Sequence, residues 1–174
     1  MATIFTHPAI ALGVMPWFRE VRSSRSVLLL GMVLTILPDI DVLGFRLGIS
    51  YDHFWGHRGF THSLMFAVIT GAVTAVLVSR TFTIRTLKLW FYFALCVASH
   101  GVLDAFTDGG LGVAFFSPFD NARYFFSFNP IEVSTLNITR FFNGQGIEVI
   151  KSELLWIWLP CMLVMVIGFY CKKK

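Results

Sequence analysis

The run Leu154–Tyr170, LLWIWLPCMLVMVIGFY, contains no charged side chain and is followed by Lys172, Lys173 and Lys174. A helix needs about 20 largely apolar residues to cross the hydrocarbon core of a bilayer. Three further segments approach that requirement. Val27–Phe45 is broken late by Pro38, Asp39 and Asp41; Ser63–Val78 ends at Arg80; Leu87–Leu103 runs into Asp104. Charged residues make up 14% of the chain and hydrophobic ones 56%, whereas about a quarter of a soluble domain is charged. So few charges cannot cover a surface in water, so lipid must take that role. The sequence predicts an all-α integral membrane protein, a single domain over residues 1–174. It has about four transmembrane helices, a short N-terminal apolar helix and an aromatic-rich outer loop.

The N-terminal run Ile4–Phe18 is short and carries Pro8 and Pro16. A tilted short span, a re-entrant piece and an interfacial helix are all open to it. Without a basic stretch at its start it does not read as a cleavable signal peptide. Cys96, Cys161 and Cys171 lie in or beside apolar runs without metal-ligand spacing, and read as small hydrophobes. A net charge of +4, dispersed along the chain, argues against nucleic acid as a partner.

Lys and Arg near span ends stay cytoplasmic. Arg19, Arg22 and Arg25, then Arg80, Arg85 and Lys88, then the terminal lysines all satisfy one topology, with the C-terminus inside. The opposite, outer side then receives residues 39–62 and 104–153. Nine of the ten carboxylates fall there, with Glu20 alone inside, and so do His53, His57, His62 and His100. His7 joins them if the N-terminal run crosses. Segment 104–153 holds ten aromatics, from Phe106 to Phe142, among turn residues such as Pro118 and Asn129-Pro130. This pattern fits a lid packed on the helix ends as well as an ordinary interfacial aromatic belt.

Ionisable residues at membrane depth are costly and by default mark function. Four groups concentrate them: Thr6-His7-Pro8, Pro38-Asp39-Ile40-Asp41, the stretch His53 to Ser63, and Ser99 to Asp104. His100 and Asp104, four apart in a helix, share a face and form a chelating pair for a divalent ion. His53 and His57 have the same spacing if their stretch is helical. Gly59 allows a break or close approach between His57 and His62. Asp39 and Asp41 alternate across Ile40 beside a helix-disturbing proline, so one could ligate a metal while the other serves a second metal or a water. Imidazole and carboxylate donors without thiolate suit zinc first and manganese second.

The motifs TH, PDID, HRGFTHS and SHGVLD, with FSPFDNARYFFSFNPIE and SELLWIWLP later in the chain, resemble the YdjM-type family of bacterial inner-membrane proteins. That family is described as LexA-regulated, membrane-bound, predicted metal-dependent hydrolases. The resemblance covers nearly the whole chain, and HRGFTHS is its most specific element. It implies that His7, Asp39, Asp41, His57, His62, His100 and Asp104 belong to a metal site. The His-x-x-x-Asp pair also resembles, more distantly, those of helical zinc phospholipases C and nucleases.

A divalent metal held in this way activates water and polarises a phosphoryl or carbonyl oxygen. Arg58 could clamp a phosphate oxyanion or simply pair with Asp52 or a lipid phosphate. Thr61 and Ser63 could donate hydrogen bonds behind the ligands, and Asp39 or Asp41 could act as general base. The expectation is a hydrolase in the inner membrane, cleaving a membrane-resident phosphoester or ester at the periplasmic face. A divalent-metal transporter and a purely structural metal site are the alternatives. Ligands gathered near one face argue against a transport path.

Overall fold

The computed structural model describes residues 2–22, 24–81, 85–134, 141 and 146–171. Among the described residues the regular elements are helices, with two isolated β-bridges and no strand. Helix α1 (Pro8–Val14) continues as a 3-10 turn through Trp17, and a short α2 (Arg19–Arg22) follows. Ser24 caps α3 (Arg25–Ile36), accepting from the Val27 N–H at 3.4 Å. Pro38 cannot donate to a helical ladder, and from Leu37 the chain tightens into a 3-10 helix that runs to Leu47. Ser63 caps α4 (Leu64–Ser79), and α5 spans Thr86–Ala105. Last come α6 (Gly146–Glu153), a π turn (Leu154–Trp158) and α7 (Leu159–Cys171), in unbroken succession.

Three helical stretches are long and apolar enough to cross a membrane: Arg25–Leu47, Thr86–Ala105 and Gly146–Cys171. Each extends beyond the apolar run that announces it. The run expected at Ser63–Val78 forms an apolar helix of 16 residues, Leu64–Ser79. At 1.5 Å per residue it measures about 24 Å, short of the ~30 Å hydrocarbon core. Its outward face is nevertheless apolar, with Val68, Ile69, Val73 and Leu77 exposed. The N-terminal Pro8–Trp17 is likewise a shorter apolar helix.

Contacts fix the directions of these helices. Val76 lines a groove with Leu87, Gly71 lies against Ala94, and Gly101 lies against the His62 carbonyl, so α4 and α5 are antiparallel. Gly31 meets Tyr92 and Thr35 meets His100, so α3 runs parallel to α5. Thr6 bonds Trp158 and Trp17 bonds Val164, so the N-terminal helix runs alongside the last one. One end of the bundle therefore gathers His7, Asp39, His62, His100, Asp104 and Glu153, and the other gathers Arg25, Arg80 and Arg85. Between the ends lies an apolar core of Val27, Leu34, Leu89, Tyr92, Phe93 and Val97 with Ala67 and Ala75.

Residues 106–134 fold back over the histidine end. Asp108 N donates to the Ile131 carbonyl at 3.0 Å, Phe126 N to that of Ala105 at 3.1 Å, and Ala114 N to that of Arg58 at 3.0 Å. Asn129 Nδ2 donates to Ala105 and Thr107 carbonyls. Phe106 packs against Phe126 in a tilted pair, with ring centroids 4.3 Å apart. Phe116, Phe119 and Phe128 remain exposed, so the segment is a lid with an aromatic outer fringe. Phe142 lies outside the described residues.

Candidate metal centre

Pro38 gives the site its first side. The 3-10 path after it brings Asp39 and Asp41 to the bundle end, Asp41 buried and Asp39 largely so. The second side is α5, whose His100 and Asp104 are both fully buried on one helical face. The third is the HRGFTHS stretch. Gly59 lets it fold tightly, since a Cβ there would stand 2.3 Å from the Phe54 carbonyl oxygen. Gly101 lets it lie on α5, since a Cβ there would stand 2.7 Å from the His62 carbonyl oxygen.

Asp39, His62, His100 and Asp104 each offer an atom within 4.8 Å of the others'. His100 Nε2 lies 3.2 Å from Asp39 Oδ1 and 3.9 Å from Asp104 Oδ2; His62 Nε2 lies 3.8 and 3.6 Å from the same two atoms. The opposite nitrogen of each ring is engaged elsewhere. His100 Nδ1 lies 2.7 Å from the Thr35 carbonyl oxygen, which can only accept. His62 Nδ1 lies 3.0 Å from Asp41 Oδ2. Both rings are thereby held with Nε2 turned inward as an acceptor, which is how metal-binding imidazoles are usually oriented. Burial pushes the His62 imidazole below the ordinary histidine range, toward the neutral form that a metal requires.

Asp41 is saturated from several sides. His57 Nδ1 lies 2.8 Å from Oδ1, and Thr61 Oγ1 donates to Oδ2 at 2.6 Å. The backbone N–H of Arg58 donates to the same oxygen at 3.2 Å. Asp41, His57 and His62 form a second group with metal-ligand spacing, joined to the first through His62.

Arg58 is wholly buried, with its backbone at φ 65°, in the left-handed region that a non-glycine residue seldom occupies. Its Nε donates to Asp104 at 3.0 Å, Nη1 to the Gly109 carbonyl at 2.7 Å and Nη2 to Thr107 Oγ1 at 2.9 Å. Asp52, one of the pairings foreseen for it, is not among these partners, and each of its three guanidinium nitrogens is engaged by a protein group. An arginine that the sequence does not single out, Arg123 of the lid, donates to the carbonyls of His57 and Tyr51 and ties the lid to the histidine stretch.

His7 is fully buried and stacks on His100, with centroids 3.9 Å apart and planes 13° from parallel. His53 is exposed and accepts from the Trp55 N–H. The chain from Ser50 to Gly59 is a series of turns, so His53 and His57 do not share a helical face. Thr61 donates to Asp41, as foreseen, whereas Ser63 caps α4. Two partners carry no sequence signal because they act through the main chain: the carbonyls of Thr35 and Gly109.

Unpartnered atoms converge here. Both nitrogens of His7, both oxygens of Asp39 and the Nε2 atoms of His62 and His100 are buried without a hydrogen bond of good geometry among the described residues. Buried polar atoms are otherwise almost always paired. Charge points the same way. Among the described residues, three carboxylates, Asp39, Asp41 and Asp104, gather around one wholly buried guanidinium, Arg58, an acidic set in a poorly solvated place. The donor set and the unpartnered atoms both fit a divalent metal ion.

The comparisons with known proteins agree on membrane location. The chain is 36% identical over 165 residues to "Inner membrane protein YbcI" of Escherichia coli (strain K12), covering 95% of each chain. No solved structure matches. Residues 1–174 match the family described as YdjM inner membrane protein, and the chain belongs to that family.

Proposed function

We propose that this protein is a metal-dependent hydrolase of the inner membrane that cleaves a lipid-linked phosphoester or ester at the periplasmic face. The observation that carries this reading is the buried group Asp39, His62, His100 and Asp104, in which both Asp39 oxygens and the Nε2 atoms of both histidines lack partners among the described residues. These four residues would hold the ion, zinc first by its donor types and manganese second. Such an ion lowers the pKa of a bound water and polarises the oxygen of the bond to be broken.

The chain's own groups divide the remaining work. Asp41 orients His62 and His57 through their Nδ1 atoms. With Nδ1 committed to Asp41, His57 has Nε2 left to take a proton from water, so it serves as general base in place of a free carboxylate. Arg58 fixes the carboxylate of Asp104 and ties it to the lid at Gly109 and Thr107. His7, stacked on His100, stands where it can supply a further ligand or donate to the leaving oxygen.

The apolar core beneath the site, from Val97 down to Val27, supports hydrolysis over metal transport, since a transport path needs polar groups at several depths. The basic residues at the opposite end of the bundle support a cytoplasmic C-terminus and a periplasmic site. The test combines metal analysis of the purified protein with turnover of a panel of phospholipids and polyprenyl phosphates, beside His57→Ala. Metal-loaded wild type should turn over at least one substrate and His57→Ala should be slowed by about 100-fold. Equal, background-level release by both proteins across the panel would sink the hydrolase reading.

A further inference from the structure

A groove of about 390 Å³ opens where the N-terminal segment and the last membrane helix meet Phe141, its lining including Thr3, Phe5, Thr6, Ile150 and Leu154 around Glu153. Its size is that of a small-molecule site, roughly 300–1,000 Å³. We propose that it holds the hydrocarbon chain of a membrane phospholipid, with the ester end of that lipid directed toward His7 and the histidine–aspartate cluster. This rests on the hydrolase reading for the fate of the lipid, though not for its binding.

The polar groups in the groove are already satisfied. Glu153, buried, accepts from Thr3 Oγ1 and Thr6 Oγ1, each at 2.7 Å, and from the Thr3 N–H. Trp158 Nε1 donates to Thr6 Oγ1 at 3.1 Å. What remains to line the space is apolar: Phe5, Ile150 and Leu154 are all exposed. Such a lining offers little to the main chain of a peptide, whose N–H and C=O groups would be left without partners away from water. A hydrocarbon chain asks for none.

The mouth of the groove is continuous with a surface that lipid must cover. Leu154 and Ile150 belong to the membrane helix Gly146–Cys171, whose exposed residues include Leu155, Met162, Leu163 and Val166. The inner end reaches Thr6, one residue from His7. A chain entering sideways from the bilayer would reach the segment that carries His7 without leaving the membrane.

The experiment places the full chain in vesicles of phosphatidylglycerol doped with a phospholipid carrying a diazirine on its acyl chain. After illumination, adducts are mapped by mass spectrometry. The proposal expects adducts on Thr3, Thr6 and Trp158 in addition to the exposed Leu163. Filling the groove with Ile150→Trp, or with Leu154→Trp should the first variant fail to fold, should lower the Thr3 and Thr6 adducts by about tenfold, with Leu163 labelling unchanged. Adducts confined to outward residues such as Leu163 in the wild type, or floor labelling untouched by either folded variant, would overturn it. Labelling is read without turnover, so a metal-free or inactive protein still reports on the groove.

Discussion

His62 Nδ1 lies 3.0 Å from Asp41 Oδ2, turning the other ring nitrogen of His62 toward Asp39 and Asp104. One imidazole thus joins an orienting carboxylate to a converging set of donors. If that set holds a metal, His62→Ala and Asp104→Ala each remove one of four donors from a buried site. Elemental analysis should find about one divalent ion per chain in the wild type and less than about a tenth of that in either variant. Metal content equal in all three proteins would mean that the cluster is a polar packing network.

Asp41 should behave differently from the four inward donors. Asp41→Asn keeps the shape of the side chain and loses the negative charge that holds both imidazoles. Loss of such an orienting partner typically weakens metal binding by about 10–100-fold without abolishing it. Competition against a chelator of known affinity should show that intermediate loss, with full occupancy restored at high metal concentration. Failure to load at any concentration would make Asp41 a ligand in its own right.

Arg58 predicts a stability phenotype. Its guanidinium is buried with Asp104 and also holds Gly109 and Thr107. Removing one partner of a buried ion pair costs about 3–5 kcal/mol, because the other charge is left alone. Arg58→Met should lower the thermal midpoint in detergent by on the order of 10 °C, and Arg58→Met with Asp104→Leu should recover part of that loss. A midpoint within about 2 °C of the wild type for the single variant would contradict the buried pair.

How far the sequence discloses this protein follows the range of each interaction. Leu154–Tyr170 and the His100–Asp104 pair are legible because a span and a helical face are written in consecutive residues. The proximity of His57 to His62 is legible through Gly59, which marks a tight chain path. Helical spacing misleads for His53 and His57, since Asp52 and Gly56 belong to a run of turns. The salt bridge from Arg58 to Asp104 crosses 46 positions and the bonds from Glu153 to Thr3 cross 150, and no local pattern encodes either. Nor does residue type reveal that Thr35 serves the site through its carbonyl.

Gly101 tests the geometry where the histidine loop meets α5. A methyl group there would fall 2.7 Å from the His62 carbonyl oxygen, with Val113 and Phe115 of the lid also close. Main chain cannot yield as a flexible side-chain tip can, so Gly101→Ala must push the 57–62 stretch away from the helix. Displacement there separates His62 from His100 and Asp104, which ride on α5 itself. The variant should fold, since alanine favours a helix over glycine by about 1 kcal/mol, yet bind metal at least about tenfold more weakly. Metal affinity and thermal midpoint measured on the same preparation separate the two effects. Wild-type affinity in a folded Gly101→Ala protein would mean that the loop does not need its close seat on α5 to bring the donors together.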